Sequence, residues 1–125
     1  MLMFVAEKRI DIFGRIESAL QGKVELVVPN AVLVELSRLS RQRSKRARYA
    51  RMALELAEKC GTWKEQMSPK ESTDNYLARV AQETGGIIAT GDMELVRKAR
   101  NANIPVVYLK KDLHLAVEGL DPGYR

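Results

Sequence analysis

The stretch Gly85-Gly86-Ile87-Ile88-Ala89-Thr90-Gly91-Asp92-Met93 (85–93) decides the fold. A glycine pair stops whatever precedes it, and Ile87–Thr90 is a short apolar run bounded by turn residues, the pattern of a buried strand. Gly91-Asp92 then turns the chain, and Met93–Ala102 has helical spacing and ends near Asn103. A buried strand that runs directly into a helix is half of a βαβ unit, and the chain repeats the theme. Outside the carboxyl ends of such strands, open α/β sheets collect their ligands. Asp92 therefore stands where chemistry is expected.

The same alternation extends in both directions. Upstream, a helical pattern over residues 8–21 places Ile12, Ile16, Ala19 and Leu20 on one face, closed by Gly22 as a C′ residue. Lys23–Val28 is a valine-rich strand, Pro29-Asn30 breaks it, and Asn30 is positioned to cap a helix that runs to about Leu39. Ser40–Ser44 reads as a cationic turn. A helix from Lys45 to Lys59 follows, with Ala47, Ala50, Leu54 and Ala57 at helical spacing. Thr62–Glu71 has room for a short strand around Trp63. Ser72 or Thr73 caps the next helix, whose apolar face is Tyr76, Leu77, Val80 and Ala81. Downstream, Val106–Leu109 is the last clear strand, and the tail beyond Lys111 is expected to pack loosely. Strands alternating with helices imply a three-layer α/β/α architecture around a central parallel sheet, in one domain spanning residues 1–125.

Composition excludes several classes. The 125 residues are 46% apolar and 30% charged, the balance of a folded globular chain. The longest uninterrupted apolar run, Met1–Ala6, is six residues, far below the roughly 20 of a transmembrane helix. The single cysteine, Cys60, excludes an internal disulfide and suits a reducing, cytoplasmic setting; it reads as a packing residue. A single histidine, His114, is too few for a histidine-rich zinc site or a Ser-His-Asp triad. No phosphate-binding Gly-Lys-Ser/Thr loop and no Gly-x-Gly-x-x-Gly occurs.

Carboxylates at element ends remain. Glu35 lies five residues after Asn30, just over one turn into its helix; Asp74 lies in the first turn of its helix; Asp92 follows its strand, with Thr90 two residues earlier. Clustered carboxylates repel one another unless a hard cation neutralises them, and Mg²⁺ and Mn²⁺ take oxygen ligands. Such ions activate water and offset charge on phosphorus, so a metal-dependent reaction on phosphate is the first expectation. Taken singly, the bland roles are helix caps for Asp74 and Asp92 and a solvated surface residue for Glu35. Glu94 reads as a partner of the helix dipole, and Glu71 and Asp112 carry no positional argument.

Charge is local. The net charge is +5, yet Arg38, Arg41, Arg43, Lys45, Arg46, Arg48 and Arg51 fall in one segment without an acid, which leaves −2 for the remainder. A solvated helix surface accounts for exposed arginines but not for the missing acids, so the block points to a polyanion such as RNA. Trp63, Tyr49 and Tyr76 are able to stack on bases, although packing in or near the core is the commoner role.

Four segments taken together resemble the PIN domain, a family of small metal-dependent ribonucleases with a parallel sheet and an acidic pocket. They are Val-Val-Pro-Asn-Ala-Val-Leu-Val-Glu-Leu (27–36), Ser-Thr-Asp-Asn-Tyr-Leu-Ala-Arg-Val-Ala (72–81), Ile-Ile-Ala-Thr-Gly-Asp-Met-Glu-Leu (87–95) and Ile-Pro-Val-Val-Tyr-Leu (104–109). The archaeal single-domain branch, similar to eukaryotic nucleases that process small-subunit ribosomal RNA, is the nearer match, ahead of the bacterial toxin branch. The resemblance implies Glu35, Asp74 and Asp92 as metal ligands with Thr90 as accompanying hydroxyl, Mg²⁺ or Mn²⁺ as cofactor, single-stranded or ribosomal RNA as substrate, and a homodimer.

One departure stands out. PIN domains usually open with a strand ending in an Asp-Thr-Asn-like turn that supplies the first ligand, whereas here no aspartate precedes Asp11, which falls inside the first helical pattern. On one reading the chain lacks the central strand and its aspartate, because Asp-Ile-Phe-Gly-Arg-Ile (11–16) matches the first family helix with little room before it. On the other, Met1–Ala6 is that strand and Glu7 replaces the acid. The first implies a gap in the sheet and weak or absent catalysis. The expected function is a metal-dependent endoribonuclease; the alternative is a catalytically incomplete module that binds RNA or serves assembly. A receiver-like signalling domain fits poorly, since no phosphoacceptor aspartate ends a middle strand.

Overall fold

A computed structural model describes residues 1–63 and 67–120, apart from the side chain of Phe4. The chain divides into two compact units, one of residues 2–11 and 24–67, the other of residue 1 with residues 12–23 and 68–125.

In the first unit, α1 (Leu2–Lys8) packs on α4 (Lys45–Ala57), which also packs on α3 (Asn30–Ser40). Met1–Ala6 is thus no strand: it lacks the alternation of a half-buried strand, and as a helix it buries Val5 and Ala6. Glu7 is exposed on this helix and stands at no strand end. The α3–α4 contact is built from the small and the branched. Ala50 and Ala53 are fully buried and let the helices approach, while Leu36 and Leu39 fill the space beside them. Alanine also costs a helix the least, so the residues that permit close packing also favour the helix. Pro29 precedes α3 in extended conformation without a side-chain cap, so Asn30 is the first helical residue and not the cap. The turn after Ser40 ends at Ser44, whose hydroxyl accepts from the Ala47 N–H at 3.1 Å and caps α4. Two short strands, β1 (Val27–Pro29) and β2 (Gly61–Trp63), pair in parallel, with Val28 opposite Thr62. The ambiguous Thr62–Glu71 segment therefore does carry a strand at Trp63; its residues 64–66 lie outside the described residues.

In the second unit, α2 (Ile12–Leu20) starts later than its apolar pattern suggests, because Arg9 takes a positive φ and Asp11 precedes the helix. Ala19 is exposed, and the left-handed residue that ends the helix is Gln21, with Gly22 N–H reaching back to Glu17 O at 3.0 Å. Ser72 caps α5 (Thr73–Thr84), and Gly85, at φ +68°, ends it. β3 (Ile88–Thr90) leads through Asp92 into α6 (Met93–Asn101), and β4 (Val106–Leu109) pairs in parallel with β3. Val96 and Ala99 of α6 and Val106 of β4 are almost wholly enclosed, with Ala81, Ile88, Leu95, Ile104 and Tyr108 around them. Full burial of a side chain of valine or leucine size stabilises by roughly 1.5–3 kcal/mol, so this cluster anchors the β3–α6 corner.

The tail does not pack loosely over its described part. β5 (Leu115–Glu118) pairs antiparallel with β4, and Glu118 is held by Arg100 at 2.9 Å and by the Tyr108 hydroxyl at 3.1 Å. Those side-chain bonds reach across 18 and 10 residues, beyond any local pattern. Residues 121–125 lie outside the described residues. The described strands form two sheets, β1-β2 and β3-β4-β5, with parallel pairing at β1–β2 and β3–β4. No helix among the described residues is long and apolar enough to cross a membrane.

Candidate active site

Thr90, Asp92 and Asp74 lie in the second unit; Glu35 lies in the first. The corner after β3 is organised by hydrogen bonds among its own residues. Thr90 is buried, and its hydroxyl oxygen accepts the Asp92 N–H at 3.0 Å. That leaves the Thr90 O–H without an acceptor among the described residues. The Asp92 carboxylate in turn accepts the Glu94 N–H at 2.9 Å through Oδ1 and caps α6. The capping role is therefore real for Asp92, but it engages one oxygen, and Oδ2 has no hydrogen-bond partner among the described residues. Glu94, exposed in the first turn of α6, is placed to favour the helix dipole. Burial pushes the α-amino group of Met1 below its usual pKa, while the charge of Asp92 pulls it back up.

Asp74 differs. The cap of α5 is Ser72, whose hydroxyl accepts the Asn75 N–H at 3.1 Å. Asp74 is thus relieved of capping. Its half-buried carboxylate makes no hydrogen bond or ion pair among the described residues, although it gains from the positive end of the α5 dipole. The adjacent Asn75 accepts from Lys98 Nζ at 3.2 Å, which ties the first turn of α5 to α6, the helix that Asp92 caps. Sequence reading missed Lys98. The bond spans 23 residues and nothing in the local pattern announces it.

Glu35 is exposed on α3 and forms a two-pronged pair with Arg38, at 2.7 Å to Oε1 and 3.4 Å to Oε2. This bonding holds the Glu35 carboxyl below the usual range, with Arg46 adding to the effect. All seven basic residues of the 38–51 segment are exposed. Arg51 donates to Ser40 O at 2.9 Å, at the end of α3. Arg41, Arg43, Lys45, Arg46 and Arg48 form no hydrogen bond or ion pair among the described residues.

Other candidates fall away. Tyr76 is fully enclosed, with the Arg79 guanidinium 5.4 Å from its ring centroid, and offers no face to a base. Trp63 is half-buried, and its indole N–H is shielded without an acceptor among the described residues. Burial raises the pKa of the Cys60 thiol, in keeping with packing. His114 pairs with Asp112 at the surface.

Asp74, Asp92 and Thr90, all in the second unit, carry hard oxygen donors, the kind that Mg²⁺ or Mn²⁺ takes. No group of three or more His, Cys, Asp or Glu side chains is assembled for a metal among the described residues. Asp74 and Asp92 alone would supply part of a coordination sphere, and Mg²⁺ commonly keeps several waters.

Comparison with known proteins adds a second line. The family model described as a PIN like domain matches residues 1–112. Ribonuclease VapC9 of Archaeoglobus fulgidus is 34% identical over 122 residues, 97% of this chain and 86% of the relative. Ribonuclease VapC4 of Methanocaldococcus jannaschii is 29% identical over 121 residues, 95% of this chain and 92% of the relative.

Proposed function

Since this chain belongs to the PIN-like domain family, we propose that it is a divalent-metal-dependent endoribonuclease in which Asp74 and Asp92 hold the ion. Thr90 orients water or phosphate; Glu35, an acid of the same sequence pattern, is engaged by Arg38 and is left out of the ion's ligand set. Both relatives carry the name ribonuclease, which supports RNA as the substrate. The observation that carries the reading is the state of Asp74. A half-buried residue at a helix start, freed from capping by Ser72 and bonded to nothing among the described residues, keeps its carboxylate for a ligand beyond what it gains from the helix dipole.

A bound Mg²⁺ or Mn²⁺ supplies Lewis-acid chemistry, lowering the pKa of a water and offsetting negative charge on the phosphate. The remaining work falls to side chains of the protein. Asp92 keeps one oxygen on its helix cap and offers the other, so its position is set by the α6 backbone. Thr90, fixed by the Asp92 N–H, has its O–H available to a phosphate oxygen. Lys98 has N–H groups beyond the one on Asn75 and is suited to hold a phosphate near the start of α5. Cations within the basic segment 38–51 hold the RNA backbone, a contact that gives affinity without choosing a sequence.

Asp74→Asn tests the reading. The variant should fold normally and bind single-stranded RNA, yet show no cleavage in Mg²⁺ or Mn²⁺, matching wild type in chelator. Cleavage by Asp74→Asn at the wild-type rate sinks the assignment. The lack of an assembled group of three acids among the described residues favours a second reading, a non-catalytic RNA-binding module. Salt-sensitive binding by the wild type with no cleavage in either metal would select it.

A further inference from the structure

We propose that Arg41, Arg43, Lys45, Arg46 and Arg48 form a self-contained clamp for the sugar-phosphate backbone of single-stranded RNA at the α3–α4 hairpin, and that Arg38 and Arg51 serve the fold instead. The proposal rests on RNA being the substrate and asks which cations meet it and at what cost to the protein.

The division follows from what each cation already holds. Arg38 is committed to Glu35 through two nitrogens, and Arg51 to the Ser40 carbonyl at the end of α3. The other five are exposed, and none has an ion pair or hydrogen bond among the described residues. They occupy the turn and the opening of α4, within eight consecutive positions.

Their placement works against the helix that carries them. A helix N-terminus bears partial positive charge and favours acids, yet α4 has no acidic residue in its first turn. Lys45 and Arg46 are instead its first two residues, and Arg48 its fourth. Ser44 supplies a proper cap, so the local sequence is otherwise consistent with a helix start. A local rule broken at one place, by several residues of the same sign, marks a surface selected for something other than folding. A polyanion laid over the turn reverses the conflict.

Charge complementarity alone does not separate RNA from an anionic membrane, but the neighbours do. A membrane-lying helix needs large apolar residues beside its cations. Of the exposed large hydrophobics among the described residues, Val27, Val34 and Met93, only Val34 belongs to α3 or α4. Four of the five cations are arginines, whose planar guanidinium binds phosphate by two nitrogens and stacks on unpaired bases, which suits a single strand.

The experiment measures binding of a labelled uridine homopolymer to the full chain in chelator, across a salt series, with cleavage in Mn²⁺ followed separately. For a single strand the slope of log K on log salt is about −0.7 per neutralised phosphate, so five cations predict about −3.5. The quadruple variant Arg41→Ala, Arg43→Ala, Arg46→Ala, Arg48→Ala should fall to about −0.7, while Arg51→Ala should keep the wild-type slope and melt lower. Lys45→Glu, at the first position of α4, gives an independent readout: the free protein should melt higher by about 2–6 °C as the helix dipole is satisfied, while RNA binding weakens. A slope unchanged in the quadruple variant, a slope near −0.7 in wild type, or a lower melting temperature in Lys45→Glu overturns the clamp. So does binding to phosphatidylserine vesicles as tight as to RNA at equal salt. A clamp that survives these tests in a chain without metal-dependent cleavage would refute the nuclease reading alone, and the reverse result would refute the clamp alone.

Discussion

Asp92 is asked to do two things, and replacing it separates them. Its Oδ1 accepts the Glu94 N–H at 2.9 Å as the cap of α6, while Oδ2 is the oxygen offered to a divalent ion. Asparagine preserves the acceptor and ranks with aspartate as a cap, so Asp92→Asn should lose only the charge–dipole attraction, about 0.3–1 kcal/mol. Asp92→Ala removes the acceptor as well and should cost about 1–2 kcal/mol, in all a few degrees of melting temperature. An ion that binds only the native protein adds about 2.7 kcal/mol at a hundredfold excess over its Kd. The wild type should therefore melt higher in Mn²⁺, and both variants should lose most of that gain. Thermal unfolding with and without Mn²⁺, together with RNA cleavage, reads out all three quantities. If Asp92→Asn keeps both the Mn²⁺ shift and wild-type cleavage, Asp92 is a helix cap and nothing more.

Three further outcomes follow from the same geometry. Thr90→Val keeps the buried shape but strands the Asp92 N–H; it should destabilise by about 1 kcal/mol in urea unfolding, with Thr90→Ser restoring the bond. Gly119 has φ +80°, and a Cβ there would lie 3.2 Å from Pro105 Cα, so Gly119→Ala should lower the urea midpoint by the equivalent of more than about 1 kcal/mol without changing the slope of the transition. Arg100 and then Tyr108 hold the Glu118 carboxyl below its ordinary pKa. Its contribution to stability is therefore complete above the unfolded-state value of about 4.3 and lost as pH falls through the lower folded value. Glu118→Gln should flatten the acid side of the melting-temperature profile, and an unchanged profile would show that the pair contributes nothing.

Much of the chain could be read without coordinates, because the rules involved act over one or two turns. Ser72 and Gly85 bound α5 by capping chemistry, Ile88–Thr90 and Val106–Leu109 are apolar runs of strand length, and Asp92 sits between strand and helix as the letters suggest. Local rules left open or misjudged segments whose state depends on a distant partner. Met1–Ala6 is compatible with strand or helix by composition, and its packing on α4 settles it. Leu115–Glu118 carries little pattern of its own and becomes a strand through β4, Arg100 and Tyr108.

For the candidate site the division is similar. The sequence by itself determined which acids stand at element ends, that Thr90 precedes Asp92 by two, and that seven cations crowd one segment, since all of these are matters of spacing along the chain. Only the tertiary structure decided which of these groups are already spoken for. Arg51 closes on Ser40, Lys98 reaches Asn75, and Asp74 is left without a partner among the described residues. A side chain's availability depends on what else lies within about 3 Å of it, and that neighbourhood exists only once remote segments have packed.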